Sequence, residues 1–159
     1  LDNWKKCGGT VSNKVNNIKL GNYTANKERK ELVVNLDQMI KASKNKDNVI
    51  LDARSKKRFL GEAKEPRPNL PSGHIPNSQS LPSSDLLDER GYLRSLDEIN
   101  QIFEKINVST NDKIIATCGS GVSACVITIA LYCLGKIDTP IYDGSWTEWA
   151  STGQEVATK

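Results

Sequence analysis

The residues best suited to chemistry lie in one run, Cys118-Gly119-Ser120-Gly121-Val122-Ser123-Ala124. It joins a short apolar segment, Lys113 to Thr117, to a long one, Val122 to Leu134. Two glycines flanking a serine let successive backbone N–H groups turn inward. That makes an anion-binding nest at the N-terminus of a helix. A cysteine at the base of such a nest has its thiolate stabilised, and its pKa falls below the free value of about 8.5. The loop therefore predicts a nucleophilic thiolate at Cys118, able to carry a larger sulfur anion such as a persulfide.

Rival chemistries fit the residues less well. A cysteine phosphatase needs an arginine six residues after its nucleophile to grip phosphate bidentately; here that position is Ala124, and the loop holds no basic residue. A Ser/His/Asp mechanism would have to use His74, the one histidine, in the turn Ser72-Gly73-His74-Ile75-Pro76. A histidine in a Gly/Pro turn reads as a structural hydrogen-bonding residue, able at most to shield the site. The four cysteines, Cys7, Cys118, Cys125 and Cys133, show no C-x-x-C spacing, so neither a metal site nor a disulfide framework is expected. No cofactor is implied. Cys125 and Cys133 read as buried, inert members of an apolar helix, and Cys7 as incidental. A reducing compartment, cytosol or mitochondrial matrix, is the expectation.

Several elements must position the loop. Leu32 to Ser43 places Val33, Leu36, Met39 and Ile40 at helical spacing. Val49 to Asp52 reads as a buried strand ending in a carboxylate. Residues 61–84 hold five of the six prolines and read as a long loop, of the kind that usually carries function. Ser95 to Ile106 is a helix opened by a Ser95/Glu98 capping box, with Ile99, Ile102, Phe103 and Ile106 as its buried stripe. Lys113 to Thr117 is a second buried strand, Val122 to Leu134 an apolar helix stopped by Gly135, and Pro140 to Tyr142 a third strand. Trp146 and Trp149 sit on a last helix. Strands alternating with helices imply a parallel α/β sheet covered on both faces, with ligands at the carboxyl ends of the strands. Asp52 to Arg58 and Cys118 to Ser123 lie there.

The charge is uneven: residues 1–60 carry 14 basic and 6 acidic residues, residues 61–159 carry 8 and 13. A net +3 is too small to argue for nucleic acid, and no aromatic residues interleave with the lysines for base stacking. The longest apolar run has 13 residues, too short for a membrane helix. The chain opens on Leu-Asp-Asn-Trp with no initiator Met or apolar signal region, which reads as a mature or excised piece. Residues 1–31 are polar, Lys/Asn-rich and poorly periodic. One echo links them to the end of the chain: Trp4-x3-Gly8-x2-Val11 repeats as Trp149-x3-Gly153-x2-Val156. This expectation makes residues 1–31 the tail of a preceding, similar domain plus a linker, and 32–159 the catalytic domain.

These residues resemble the rhodanese-like sulfurtransferases over roughly 32–156. The matching segments are Val49 to Arg54, Lys57 to Gly61, Ser72 to Pro76, the Cys118 loop and Tyr142 to Trp149. The resemblance implies a rhodanese-like α/β fold with helices on both faces of a parallel sheet. Within the family, a Cys-Arg-Lys-Gly-Val-Thr loop goes with thiosulfate and a Cys-Gly-Ser-Gly-Val-Thr loop with 3-mercaptopyruvate. This chain has the second type, with Ser123 in place of Thr. The family further implies Arg58 and Arg67 as ligands of the donor's carboxylate and keto groups, in keeping with the planar, bidentate contact such groups need. Arg54 and Asp52 match a structural Asp-x-Arg pair.

The implied reaction takes sulfur from a small-molecule donor, 3-mercaptopyruvate or, as second choice, thiosulfate. Cys118 becomes a persulfide held by the N–H groups of Gly119, Ser120, Gly121, Val122 and Ser123, and Ser120 polarises the donor. The outer sulfur passes to thioredoxin, another thiol, or a protein relay that can feed tRNA thiolation. Family members of this type pair an inactive first domain with a catalytic second one, so a missing N-terminal rhodanese-like domain is implied as a partner. The alternative from a different class is a non-catalytic rhodanese-fold binding or relay module, which Cys118 argues against.

Overall fold

The computed structural model describes residues 1–25 and 27–158. Its strands are β1 (Val33–Val34), β2 (Asn48–Asp52), β3 (Ser78–Ser80), β4 (Lys113–Thr117) and β5 (Ile141–Tyr142). The helices are α1 (Asp2–Lys6), α2 (Leu36–Lys44), α3 (Lys56–Phe59), α4 (Leu96–Lys105), α5 (Ala124–Cys133) and α6 (Ser145–Ser151). The strands form one sheet in the order β1-β5-β4-β2-β3, every pair parallel.

The central strands are apolar on both faces because both are covered. Leu51, Ile114 and Ala116 enter one core with Ile99 and Phe103 of α4 and Ile127 and Leu131 of α5. Ile50 and Ile115 enter the other with Met39 of α2 and Trp146 and Trp149 of α6. Neighbouring residues on a strand thus supply opposite cores, as the two-residue period requires. The expected α/β architecture is present.

Several boundaries differ from the sequence expectations. The first predicted helix begins at Leu36, not Leu32. Asn35 caps it, accepting from Gln38 N–H, while Gln38 Oε1 accepts from Asn35 N–H. Val33 and Val34 pair with Ile141 and Tyr142 instead, because β-branched residues beside a free strand edge gain a ladder there. The long loop 61–84 contains the edge strand β3, whose polar Ser-Gln-Ser sequence hides it from a search for apolar runs. The polar segment 1–31 contains α1 and leads into a 3-10 turn at Lys30–Leu32. Cys125 and Cys133 are exposed, not buried. Helix α5 is apolar all round, but its covered face is Ala124, Ile127, Ala130 and Leu131, with Val126 half-buried beside them. Predicted helix α4 forms as expected, with Ser95 and Glu98 bonded reciprocally.

The sheet register sets the site. Asp52 and Thr117 are paired at the carboxyl ends of β2 and β4, and Ala53 N–H donates to Thr117 O at 2.9 Å. The residues that follow each strand, Arg54 to Arg58 and Cys118 to Ser123, therefore leave the sheet side by side.

Candidate functional site

Cys118 leaves β4 with its side chain buried, 1% exposed. Two opposing influences act on its thiol. Burial pushes the pKa up; the Ser123 hydroxyl and the N–H groups of Ser120, Ala124 and Ser123 pull it down, and the net pKa lies below the usual thiol value. Those donors stabilise the thiolate without any cationic side chain. The nest differs slightly from the expected run of residues 119–123. Ala124 N–H takes part, whereas Gly121 N–H donates to Ser145 Oγ at 2.9 Å.

The loop is held from α6, a support that sequence reasoning did not single out. Ser145 Oγ accepts from Cys118 N–H at 3.2 Å and from Gly121 N–H, and donates to Tyr142 O at 2.8 Å. Trp146 N–H donates to Cys118 O at 3.0 Å and Thr147 N–H to Gly119 O at 3.1 Å. Ser145 is fully buried at φ 50°, a left-handed conformation uncommon for serine. The left-handed residue is the serine itself, since Gly144 before it is right-handed at φ −59°, so no residue type in the Asp143-Gly144-Ser145 turn signals the conformation.

The two predicted arginines lie beside this loop. Arg58, on α3, sets its guanidinium against Gly119; a Cβ there would stand 3.1 Å from Nη2. A side chain at 119 would be tight against that guanidinium, which would have to give by a few tenths of an ångström. Gly121 is the stronger case for glycine, at φ 79° with the Asp143 carbonyl 3.1 Å from where its Cβ would be. Arg67 is exposed and donates from Nη1 to Thr147 Oγ1 at 2.9 Å, while that hydroxyl donates to Gly119 O at 2.5 Å. Ser120 is exposed at the loop's apex, and Ser123 is half-buried. The Val122 side chain points away from the thiol into solvent, 76% exposed.

Behind the arginines is a buried ionic core. Arg54 donates to Asp52 Oδ2 at 2.6 Å, to Gly73 O at 2.8 Å and to Glu65 Oε1 at 3.0 Å, and its guanidinium lies 4.4 Å from the centre of a Trp146 ring. Glu65 also takes Arg58 Nε at 3.1 Å and Nη2 at 2.6 Å. The Asp52–Arg54 pair read from the sequence is thus extended by Glu65, which sequence reasoning passed over in the proline-rich loop. His74 is structural: its ring stacks on Phe59 at 3.8 Å, Nδ1 is 2.8 Å from Phe59 O, and its backbone pairs with Ala157.

The geometry is that of a buried thiol of lowered pKa in a backbone nest, with two guanidiniums beside the loop. A family model described as the rhodanese-like domain matches residues 35–152. "Thiosulfate/3-mercaptopyruvate sulfurtransferase 2" of Arabidopsis thaliana is 46% identical over 125 residues, covering 79% of this chain and 36% of its own length. The "3-mercaptopyruvate sulfurtransferase" of Escherichia coli strain K12 is 41% identical over 121 residues, covering 76% of this chain and 43% of its own. The crystal structure of SseA from Escherichia coli, described as a 3-mercaptopyruvate sulfotransferase with a rhodanese fold, superposes with a TM-score of 0.74 at 34% identity. It covers 92% of this chain and 53% of that one. The chain spans less than half the length of the two curated relatives named. On fold, loop and sequence together, it belongs to the rhodanese-like domain family.

Proposed function

We propose that this chain is the catalytic domain of a sulfurtransferase that takes sulfur from 3-mercaptopyruvate and passes it to a thiol acceptor. The observation that carries the reading is the Cys118 thiol, buried yet held below the usual thiol pKa by Ser123 and three backbone N–H groups. The Cys118 thiolate attacks the donor's sulfur. The carbon–sulfur bond breaks, its electron pair leaves on the methylene carbon as the pyruvate enolate, and that carbon takes up one proton to give pyruvate. The donor's own S–H proton is released, leaving a persulfide anion on Cys118 in the nest. An acceptor thiolate then attacks the outer sulfur, and Cys118 departs as the thiolate.

Arg58 and Arg67 flank Gly119 and suit the donor's carboxylate and keto oxygens. Ser120, exposed at the apex, is proposed to polarise the donor, with the backbone of Gly119, Gly121, Val122 and Ser123 as the rest of the loop around it. The loop's lack of cations favours 3-mercaptopyruvate over thiosulfate, the second choice. The acceptor class is a small thiol or a thiol-bearing protein such as thioredoxin, including a relay toward tRNA thiolation. The compartment proposed is cytoplasm or mitochondrion. One relative is named "Thiosulfate/3-mercaptopyruvate sulfurtransferase 1, mitochondrial", and no helix among the described residues is long and apolar enough to cross a membrane.

Residues 1–31 are proposed to be the tail and linker of a preceding rhodanese-like domain, and 32–159 the catalytic domain. The support is local. In α6, Trp149 Nε1 donates to Glu155 O at 2.8 Å and the chain turns at Gly153, φ 70°. Around α1, Trp4 Nε1 donates to Thr10 O at 2.9 Å and the chain turns at Gly8, φ 80°. Each bond spans six residues. Trp149 is 2% exposed in its core, and Trp4 is 58% exposed.

The test is mass spectrometry after exposure to 3-mercaptopyruvate. A gain of about 32 Da on Cys118, one sulfur atom, is expected and is abolished in Cys118→Ser. No adduct in the full-length protein refutes the enzyme reading and leaves the binding module.

A further inference from the structure

Arg58 is already paired. Its Nε and Nη2 edge faces Glu65, at 3.1 and 2.6 Å. A guanidinium is planar and offers two bidentate edges, so the edge left for a ligand is the one bearing Nη1. Among the described residues, no hydrogen bond from Nη1 is formed. The same guanidinium lies against Gly119, with Nη1 3.8 Å from where a Cβ would stand.

Glu65 is itself immobilised. Its side chain is 3% exposed, and Oε1 also receives Arg54 Nη1 at 3.0 Å. Arg54 is anchored in turn by Asp52, Gly73 O and the Trp146 ring. A rigid chain of contacts thus runs from the carboxyl end of β2 through Arg54 and Glu65 to Arg58 at the loop.

We infer that Glu65 is a positioning residue for donor binding: it holds one edge of Arg58 so that the other is presented over Gly119 to the donor's carboxylate. The inference rests on the proposed use of 3-mercaptopyruvate. Two carboxylates and two guanidiniums make this core electrically balanced, so Arg58 supplies oriented hydrogen bonds more than net charge. Arg67, which no carboxylate pairs among the described residues, supplies the attraction. Without the Glu65 charge, Arg58 keeps its cation but loses its fixed plane. The donor is then bound less tightly, while the thiolate chemistry of Cys118 is untouched.

The experiment measures pyruvate release from 3-mercaptopyruvate by the full-length protein, with cyanide as acceptor. It compares wild type with Glu65→Gln, Glu65→Asp, Arg58→Ala and the double variant Glu65→Gln/Arg58→Ala. Glu65→Gln is expected to raise KM about tenfold with kcat changed less than about twofold, the signature of lost binding that is uniform along the reaction. In the Arg58→Ala background the same change is expected to leave KM alone. Glu65→Asp keeps the charge with a shorter reach, and a KM between those of wild type and Glu65→Gln is expected. Should Glu65→Gln fail to fold, Glu65→Asp is read against wild type, and an unchanged KM overturns the inference. An active wild type with unchanged KM in Glu65→Gln, or an equal rise with and without Arg58, overturns the inference alone. A wild type that releases no pyruvate overturns both it and the proposed function.

Discussion

Removing the Ser145 hydroxyl should damage the loop more than its small size suggests. Its oxygen accepts from Cys118 N–H at 3.2 Å and Gly121 N–H at 2.9 Å and donates to Tyr142 O at 2.8 Å, and the residue is fully buried. In Ser145→Ala, two N–H groups and a carbonyl lose their partner where water cannot replace it. Each buried orphan costs about 1–3 kcal/mol, and partial relaxation brings the sum to about 3 kcal/mol. For a domain of this size that is a fall in Tm of roughly 6–12 °C. Left-handed strain at φ 50° is the same for Ala as for Ser, so it does not enter the difference. The loop's inward N–H groups also lose their brace, so the Cys118 pKa should rise. Urea unfolding gives the stability, and the pH dependence of iodoacetamide alkylation gives the pKa. A loss below about 0.5 kcal/mol with an unchanged alkylation profile would refute the claim that α6 holds the nest through this hydroxyl.

Three further outcomes follow from the same geometry. Ser123→Ala removes the side-chain donor to the Cys118 thiol; its alkylation profile should shift to higher pH, whereas Ser123→Thr should restore it. Because the native Cys118 pKa is lowered, the folded state gains stability as pH rises from that native value to the unfolded value of about 8.5, and loses it as pH falls through the native pKa. Urea midpoints across that interval should climb in wild type and stay flatter in Cys118→Ser. Arg58→Ala should cut 3-mercaptopyruvate turnover at least about tenfold more than thiosulfate turnover, and equal losses would argue against a carboxylate seat beside Gly119.

The site was legible where a single segment carries both the chemistry and its setting. The Cys118 loop lies between an apolar strand and an apolar helix, so the nest followed from local sequence. The Asp52–Arg54 pair was implied by the resemblance, through the family's Asp-x-Arg pattern. Glu65 and Ser145 were not legible, because their importance comes from residues distant in sequence: Glu65 bridges two arginines on the far side of a turn, and Ser145 braces a loop 24 residues upstream. The edge strand β3 escaped for a related reason. Its Ser-Gln-Ser residues join the sheet through backbone pairing with Ile50 to Asp52, which leaves no apolar trace. Cys125 and Cys133 show the converse limit: periodicity cannot say which face of an all-apolar helix is covered.

A nest needs its N–H groups aimed inward, and the opposite ends of the same peptides must then be satisfied outside. The Gly119 carbonyl, in the same peptide as the Ser120 N–H, meets the Thr147 N–H at the start of α6, and the neighbouring Cys118 carbonyl meets the Trp146 N–H; both donors are unsatisfied within their own helix. Two sets of unfilled backbone groups, the loop's carbonyls and the helix's first donors, thus complete each other. Burial raises the thiol's pKa, and only donors fixed before any charge appears can reverse that at no further cost in ordering. Cations in the loop would lower the pKa too, but would fill the space above Gly119 where Arg58 stands. A loop of small, neutral residues braced by α6 therefore keeps the thiolate and leaves the guanidinium free to face a carboxylate.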